Sequence, residues 1–382
     1  MKILQVTHYF LPHRGGLERF VYYLSKNLAD NGQNITVFTS NIPESKPVEN
    51  LDGIIVFRFT TIAEPLRNPI VPRFFFPIKN MREYDLIHVH TLYSSMVLLC
   101  ILQKKLFGIP VIVTHHGRVG FEHPLLDFFL HLYENLFFKK LLSMCDQCIA
   151  LSESDARFLT TFTPREKITI IPNGINPADL ILHSEWEIDR FLLKYNLNNK
   201  KIVLFIGRLI PLKGAKYLIE AFSNIREELN DLSVQLVIAG DGIEREALLR
   251  MTSDKKLTDS VLFIQDLSDA DRNYLYQSAA IFVLTSLSEG FPTTVLEAMY
   301  YGVPVIGTDI PVMNENFSDS VSLVPPRDDR ALADAILGLL VDPDLAQKLS
   351  SKGKEAVKNF TWDRIVKNYI DVYSGLVLKK VP

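Results

Sequence analysis

Apolar runs alternate with amphipathic runs along almost the whole chain. The shorter runs are rich in Val, Ile and Leu, as strands buried on both faces of a parallel sheet are, and the longer runs between them have helical spacing. This alternation predicts α/β layers built on parallel sheets. The predicted strands cover residues 3–7, 35–39, 54–59, 86–89, 111–114, 147–151, 168–171, 202–206, 235–239, 261–264, 281–284, 305–307 and 322–324.

A break divides this alternation into two series. The segment 172–177 is rich in turn-forming residues, and the polar run 194–201 leads into a fresh apolar strand at 202–206. We therefore expect two doubly wound, Rossmann-like domains, residues 1–180 and residues 181–362. A C-terminal helix of about 363–382 is expected to pack back on the first domain. In such sheets ligands bind outside the carboxyl ends of the strands, which here predicts an interdomain cleft.

Composition narrows the class of protein. The 382 residues are 47% hydrophobic and 22% charged, which is ordinary for a globular protein, and the net charge of −3 argues against a nucleic-acid partner. The N-terminus is predicted to form a strand rather than a signal peptide, and the three cysteines are an odd count. Both features favour a reduced, cytoplasmic protein.

The segment around Glu289 carries the most chemical information. Glu297 follows Glu289 by eight positions, with Pro292 placed to open a helix over 293–301 and Gly302 placed to end it. Both carboxylates can then approach one ligand at the helix N-terminus. Such a terminus favours phosphate, and carboxylates accept hydrogen bonds from sugar hydroxyls. The segment therefore predicts a binding site for a sugar nucleotide.

Arg208 and Lys213 are the candidate diphosphate ligands. Arg208 leaves the carboxyl end of the predicted strand 202–206, and Lys213 follows five positions later. A guanidinium binds phosphate through two hydrogen bonds and an ammonium acts as a point charge. Taken alone, these residues fit a pair of surface cations better. The neighbouring Glu289 and Glu297 favour the diphosphate interpretation.

Two glycine-containing loops are less specific. Gly15 and Gly16 precede a helix predicted over 17–31, where they allow either close approach of an anion or a flexible turn. Gly240, Asp241 and Gly242 follow a strand and fit a tight turn better than a ligand loop. No GxGxxG fingerprint follows the first strand of either series, which weakens a dinucleotide interpretation.

The histidines and cysteines allow several interpretations. His88 and His90 are predicted to point to one face of a strand, whereas the adjacent His115 and His116 point to opposite faces. Their spacing matches no metal motif, so we favour His116 at the strand end as a ligand for a substrate hydroxyl over a metal site. Cys145 and Cys148, which form a lone CxxC, are predicted to be small buried core residues.

Two segments combine aromatic and basic residues. Segment 66–82 carries Arg67, Arg73, Lys79 and Arg82 around Phe74–Phe76, with no acidic residue, and 121–144 is densely apolar. Charges interrupt 121–144, so it does not predict a membrane span. Peripheral contact with an anionic membrane and an ordinary core helix beside a solvated loop both remain open.

The sequence resembles retaining glycosyltransferases of the GT-B group, of the glycosyltransferase family 4 and group 1 type, over nearly its whole length. The most specific element is the Glu-x7-Glu pattern from Glu289 to Glu297. Supporting motifs are Gly207-Arg208-Leu209 with Lys213-Gly214, Gly15-Gly16-Leu17-Glu18, Asn173-Gly174-Ile175 and Tyr301-Gly302-Val303-Pro304-Val305. One departure is Gln265-Asp266, where the family often has glycine, so the choice of nucleobase stays open.

The resemblance implies a role for each matching residue. Arg208 and Lys213 would hold the donor diphosphate, Glu297 the ribose and Glu289 the transferred sugar. Gly16 would let the first domain close on the phosphate, and His116 would lie near the sugar hydroxyls. The remaining donor contacts would come from the backbone of Gly290, Phe291, Pro292 and Thr293.

The function that the resemblance implies is transfer of a hexose from a nucleotide diphosphate sugar to a hydroxyl of a glycan or lipid-linked acceptor. No cofactor and no metal is implied, because Arg208 and Lys213 take the place of a metal ion. The location would be cytoplasmic, at the inner face of the membrane if the basic, aromatic segments bind lipid. A sugar-nucleotide epimerase or hydrolase and a non-catalytic sugar-nucleotide-binding protein are the alternatives.

Overall fold

A computed structural model describes residues 1–13, 15–64, 68–71, 82–90, 95–117 and 124–379. Within these ranges the strands are β1 (Lys2–Val6), β2 (Asn34–Ser40), β3 (Val48–Leu51), β4 (Ile54–Phe59), β5 (Leu86–Val89), β6 (Val111–Thr114), β7 (Gln147–Ala150), β8 (Ile168–Ile170), β9 (Lys201–Ile206), β10 (Val234–Ala239), β11 (Val261–Ile264), β12 (Ala279–Leu284), β13 (Val305–Thr308) and β14 (Ser322–Val324).

The α-helices are α1 (Gly16–Asp30), α2 (Ser95–Phe107), α3 (Pro124–Tyr133), α4 (Lys139–Met144), α5 (Glu153–Leu159), α6 (Glu185–Lys194), α7 (Ala215–Asn224), α8 (Arg226–Asp231), α9 (Arg245–Asp254), α10 (Asp269–Ser278), α11 (Thr293–Tyr301), α12 (Pro311–Phe317), α13 (Asp329–Val341), α14 (Pro343–Val357) and α15 (Trp362–Leu378). A π-helix, Glu134–Phe138, joins α3 to α4. Short 3₁₀ turns occur at Arg165–Lys167, Pro177–Asp179, Pro211–Lys213 and Lys358–Phe360.

The chain divides into two units. The first, unit 1, comprises Met1–Gly174 and the C-terminal segment that begins at Trp362, and the second, unit 2, comprises Ile175–Thr361. The division therefore lies inside the turn-rich segment 172–177 rather than at residue 180. The C-terminal helix α15 is part of unit 1, where it packs against α1.

Unit 1 is built on one sheet with the described strand order β3-β4-β2-β1-β5-β6-β7-β8. Every pairing is parallel except that of β3 with β4. The sequence analysis did not predict β3. Its four residues alternate between exposed and half-buried positions at the sheet edge, so they lack the continuous apolar run that marks the central strands.

The helices α1 and α15 cover one face of the unit 1 sheet. The buried positions of α1 include Phe20, Leu24 and Leu28, which recur at helical spacing and form its inward face. The Phe20 ring lies 5.3 Å from that of Trp362, the first residue of α15. This aromatic contact joins the two ends of the chain in one core, because Trp362 is only 1% exposed.

Unit 2 has the described strand order β11-β10-β9-β12-β13-β14, and all its strand pairs are parallel. The chain runs outward from β9 through β10 to β11, then returns to the other side of β9 as β12. This is the classic Rossmann order, in which ligands bind where the direction of strand addition reverses. The reversal lies between β9 and β12, and so it defines where a site should be sought.

We predict that Trp362→Ala lowers the free energy of unfolding of unit 1 by about 3–5 kcal/mol, because it removes a large buried ring and leaves a cavity. The matched control is Trp186→Ala, since Trp186 is 68% exposed and its loss should change stability by no more than about 0.5 kcal/mol. Thermal and urea unfolding measure both variants, and amide hydrogen exchange locates the effect. Equal losses in the two variants would contradict the assignment of α15 to the core of unit 1.

Candidate functional site

The loops that follow β9 and β12 are bonded to each other. The backbone N–H of Leu287 donates to the carbonyl of Leu212 at 2.8 Å, and the Thr285 hydroxyl donates to the carbonyl of Lys213 at 2.8 Å. Parallel neighbours end at the same edge of a sheet, so two segments distant in sequence are brought together at the reversal point. These bonds fix the backbone on which the predicted site residues stand.

Lys213 and Glu289 meet at this edge. The Lys213 ammonium lies 2.5 Å from Oε1 of Glu289, and the Ser286 hydroxyl donates to the same oxygen at 2.5 Å. The two charged side chains are 20% and 10% exposed, so water screens the ion pair only in part. In the described part of the chain no group bonds to Oε2 of Glu289. That oxygen is available to accept a hydrogen bond from a ligand hydroxyl.

Arg208 follows β9 directly but does not join this pair. Its side chain is exposed, and within the described ranges its guanidinium forms no ion pair or hydrogen bond. An exposed, unpaired guanidinium keeps its donors free for an added anion. Arg208 and Lys213 therefore lie on one loop. Lys213 is bound to the Glu289 carboxylate, whereas Arg208 has no such partner in the described ranges.

The helix after β12 has the predicted bounds, Thr293–Tyr301, and ends at Gly302, which has a left-handed φ of 76°. Pro292 differs from the prediction, since it is the N-cap rather than the first helical residue. Phe291 is buried against Phe317, with ring centroids 5.8 Å apart. Its burial anchors the loop that carries Gly290 and leads into the helix N-terminus.

Glu297 belongs to a separate hydrogen-bond network from Glu289. It is only 8% exposed, and its Oε2 accepts a hydrogen bond of 2.9 Å from the Tyr276 hydroxyl. Its Oε1 lies 3.9 Å from Nη1 of Arg272. The partners therefore come from α10, one turn apart on one helical face. The two glutamates stand on the loop and the helix as predicted, but each is held by different groups.

Three residues that hold these carboxylates were not predicted from the sequence: Ser286, Tyr276 and Arg272. The position of Ser286 could have been predicted, because Ser286 follows the buried strand β12 and so lies at the same sheet edge as Arg208. Arg272 and Tyr276 had only their spacing of four on α10, and nothing in the sequence relates that helix to Glu297. The contact of α10 with Glu297 depends on tertiary packing.

The glycines of this edge allow close backbone approach. Gly214 has a φ of 64°, and a Cβ there would lie 2.4 Å from the carbonyl oxygen of Thr285. A Cβ on Gly240 would lie 1.9 Å from the carbonyl oxygen of Gly207. The Gly240 loop is thus a tight turn packed on the loop after β9. Asp241 in that turn accepts a hydrogen bond of 2.9 Å from Gln265, the residue that departs from the family pattern.

Unit 1 holds the other predicted site residues. Gly16 is the first residue of α1, and a Cβ there would meet no atom within 4 Å, so the space beside it is open. Nε2 of His116 lies 3.4 Å from Nδ1 of His90, and the His116 ring meets the Phe20 ring edge-on at 4.6 Å. Burial, and then the neighbouring His90 and His115, lower the pKa of His116 well below its usual value.

The other His and Cys residues have packing roles. His115 turns away from His116 and bonds to the carboxylate of Asp155. Among the described residues no group of three His, Cys, Asp or Glu side chains is arranged to hold a metal ion. Cys145 and Cys148 are buried in the core of unit 1, where burial raises the pKa of the Cys148 thiol to about 12.

The apolar segment 121–144 is described from residue 124 onward. No helix in the described ranges is long and apolar enough to span a membrane. Large apolar side chains are nevertheless exposed along α3 and the π-helix: Leu125, Phe128, Phe129, Leu132, Leu136 and Phe137. Of the predicted basic segment 66–82, residues Arg67, Arg73, Phe74–Phe76 and Lys79 lie outside the described residues.

Comparison with known proteins identifies related sequences and folds. The family model described as "Glycosyl transferases group 1" matches residues 188–356, and "Glycosyltransferase Family 4" matches residues 14–179. An uncharacterised glycosyltransferase of Methanocaldococcus jannaschii is 28% identical over 98% of each chain. The O-antigen chain mannosyltransferase C of Escherichia coli is 25% identical over the full length of both.

Solved structures share the fold over nearly the whole chain. Sucrose-phosphate synthase of Thermosynechococcus elongatus superposes with a TM-score of 0.77 at 23% identity, covering 99% of each chain. HepE of Anabaena, solved in complex with UDP-glucose, superposes with a TM-score of 0.78 at 20% identity, covering 98% of this chain and 100% of that one. The expected GT-B fold, with two parallel-sheet α/β domains, is therefore confirmed.

We predict that Gly214→Ala destabilises unit 2 by more than about 1 kcal/mol, because the residue has a left-handed φ and its Cβ would contact Thr285. The matched control is Gly338→Ala inside α13, where a Cβ would meet nothing within 4 Å. That substitution should stabilise by about 0.5–1 kcal/mol. Urea unfolding measures both, and a Gly214→Ala protein as stable as wild type would contradict the close approach of the two loops.

Proposed function

Since the chain is a glycosyltransferase, with residues 188–356 in the group 1 family and residues 14–179 in family 4, we propose that it moves a hexose from a nucleotide diphosphate sugar to a hydroxyl. We propose that the acceptor is a glycan or a lipid-linked molecule. The observation that carries this proposal is the Lys213–Glu289 pair at the strand reversal of unit 2, where a cation and a carboxylate stand side by side.

The two charges suit the two parts of the donor. We propose that Lys213 and Arg208 bind the diphosphate and that the free Oε2 of Glu289 accepts a hydrogen bond from the transferred sugar. Ser286 and Lys213 hold the other oxygen of that carboxylate, so it cannot rotate freely. A carboxylate fixed in this way is preorganised for its ligand.

The helix N-terminus adds donors beside these side chains. We propose that backbone N–H groups from Gly290 through Phe291 to Thr293 contact the sugar and the phosphate. Pro292 has no N–H to contribute. The buried Phe291 ring fixes this loop, and the positive end of the α11 dipole favours the anionic phosphate.

Glu297 is proposed to bind the ribose hydroxyls of the donor. The Tyr276 hydroxyl and Arg272 hold its carboxylate in a nearly buried position, so it can accept from a diol with little loss of side-chain entropy. In unit 1, the open space beside Gly16 is proposed to admit the donor phosphate, and His116 is proposed to bind a substrate hydroxyl.

The charges also suggest how the reaction is accelerated. As the bond from the anomeric carbon to the diphosphate breaks, the leaving oxygen gathers negative charge, and Arg208 and Lys213 stabilise it. We propose that the acceptor oxygen bonds to the same face of that carbon while its proton passes to the leaving phosphate, so the anomeric configuration is retained. We further propose that these two cations make a metal ion unnecessary.

Removal of either cation should slow transfer. We predict that Lys213→Ala and Arg208→Ala each lower kcat about 10²–10³-fold, the effect of removing one transition-state contact. Lys216→Ala is the control, because Lys216 is exposed on α7 beyond the loop. Released nucleoside diphosphate and glycosylated acceptor are measured in buffer that contains EDTA, with UDP-sugars and GDP-sugars as donors.

Each alternative function has its own outcome in this assay. Release of free sugar or interconversion of the donor without acceptor would indicate a hydrolase or epimerase. Donor binding, seen as a raised melting temperature without turnover, would indicate a non-catalytic binding protein. Activity that appears only when Mg²⁺ replaces EDTA would contradict the metal-independent mechanism.

We also propose that unit 1 contacts an anionic membrane through α3 and the π-helix, at the inner face of the cytoplasmic membrane. The exposed residues Leu125, Phe128, Leu132 and Leu136 recur at intervals of three and four, which places them on one helical side. The opposite side carries the buried Phe138 and continues into the core. Amphipathic helices of this type lie in the membrane interface.

Positive charge at the end of the exposed apolar stripe on α3 and the π-helix indicates that the lipid headgroups are anionic. Lys139 and Lys140, the first residues of α4, are both exposed and immediately follow the apolar stripe. The Arg82 guanidinium stacks 4.5 Å from the centroid of the Phe107 ring at the end of α2, a helix that packs against α4. Basic residues beside an apolar face favour anionic headgroups over neutral ones.

We predict that the protein co-sediments with vesicles containing phosphatidylglycerol at low salt and that Phe128→Asp weakens this binding, because a charge replaces an inserted ring. Leu182→Asp is the control, since Leu182 is 75% exposed and belongs to unit 2. Binding should fall as salt screens the lysines. Absence of binding at low salt, or equal losses in the two variants, would contradict the proposed contact.

A further inference from the structure

A layer of polar side chains is buried between the unit 1 sheet and α15. Gln5 of β1, His88 and His90 at β5, Thr114 of β6 and Tyr373 of α15 are each 0% exposed. Aromatic rings pack against them, since the Phe20 ring lies 5.7 Å from that of His90 and the Tyr369 ring lies 6.0 Å from that of His88. Buried polar groups are costly unless they are hydrogen-bonded, so the partners of each atom determine what this layer can do.

Two chains of hydrogen bonds diverge from Gln5. On one side, Nε2 of His90 lies 2.6 Å from Oε1 of Gln5, and Nδ1 of His90 lies 3.4 Å from Nε2 of His116. On the other side, the Gln5 amide donates to the Tyr373 hydroxyl at 3.5 Å. Tyr373 in turn lies 2.6 Å from Nδ1 of His88.

His88 and His90 of the layer and the adjoining His116 are neutral near pH 7. Burial, as the largest cause, lowers the pKa values of His88, His90 and His116 well below their usual range, and the neighbouring imidazoles lower them further. A neutral imidazole has one N–H donor and one acceptor nitrogen. The bond that one nitrogen makes therefore determines what the other nitrogen can do.

The direction of the first chain follows from the amide oxygen of Gln5. An amide oxygen only accepts, so Nε2 of His90 carries the proton and Nδ1 of His90 is an acceptor. Nε2 of His116 must then donate to it, which leaves Nδ1 of His116 as an acceptor that no group in the described ranges engages. The second chain anchors the Gln5 amide by its nitrogen, which keeps its oxygen toward His90.

We propose that Gln5, acting through His90, fixes the tautomer of His116 so that its Nδ1 accepts a hydrogen bond from a substrate hydroxyl. Gln5 and His90 are positioning residues, since they act through His116. The inference rests on the proposed function for the identity of the hydroxyl, which belongs to either the donor sugar or the acceptor. A fixed tautomer matters because the alternative one would present an N–H donor where the proposed contact needs an acceptor nitrogen.

The tautomer is measured directly by long-range ¹H–¹⁵N NMR of the full chain with ¹⁵N-labelled histidine. We expect His116 of the wild type to carry its proton on Nε2. In Gln5→Met, which keeps the volume but removes the amide, the signal should shift toward a mixture of tautomers. Gln147→Met is the control, because the Gln147 amide donates to the Thr169 hydroxyl at 2.7 Å, outside the layer, so His116 should be unchanged.

Kinetics separates a positioning role from a structural one. We expect Gln5→Met to lower kcat/KM about tenfold, the effect of losing one neutral hydrogen bond, while Gln147→Met stays near wild type. A raised KM for the donor assigns the hydroxyl to the donor sugar, and a raised KM for the acceptor assigns it to the acceptor.

Two results would overturn the inference: a wild-type His116 protonated on Nδ1, or a Gln5→Met protein with an unchanged His116 tautomer. The NMR result requires neither turnover nor substrate. It therefore tests the tautomer independently of the proposed transfer reaction. If a variant folds poorly, the wild-type spectrum alone still shows which nitrogen of His116 carries the proton.

Discussion

The pairing of β9 with β12 is the constraint on which the unit 2 site depends. These strands are neighbours in the sheet although β10 and β11 intervene in sequence. The reversal brings the Arg208 loop beside the Glu289 loop, and backbone bonds such as Leu287 to Leu212 fix their register. Without that adjacency, Lys213 and Glu289 would be unrelated surface charges, because nothing local in the sequence links them.

The ion pair at this edge contributes little to stability, and the proposed ligand binding would give it a role. Partly buried ion pairs lose much of their attraction to desolvation, so they contribute little net free energy of folding. Lys213 and Glu289 are nevertheless held in one geometry, with Ser286 as a third partner. Such a cluster keeps a cation and an acceptor oxygen in fixed positions before any ligand arrives, which lowers the entropy cost of binding.

Much of the fold could be predicted because its central strands are buried on both faces and read as continuous apolar runs. The edge strand β3 lacks that signal, so it was missed. The position of α11 was predictable from Pro292 and Gly302, although the proline lies at the N-cap. The partners of Glu297 could not be predicted, since Arg272 and Tyr276 reach it only through the packing of α10.

The two units differ in how they place polar groups. This difference fits the proposed binding of a charged diphosphate by unit 2 and of a neutral hydroxyl by unit 1. The unit 2 edge presents formal charge, with Arg208 exposed, as suits a diphosphate whose charge must be matched. The unit 1 layer is neutral and buried, and its direction is set by which atom donates. A hydroxyl needs no counter-charge, and in the proposed contact a fixed tautomer offers its O–H an acceptor of defined orientation. An amide anchored on Tyr373 provides that orientation without placing an ion in an apolar core, where desolvation would be costly.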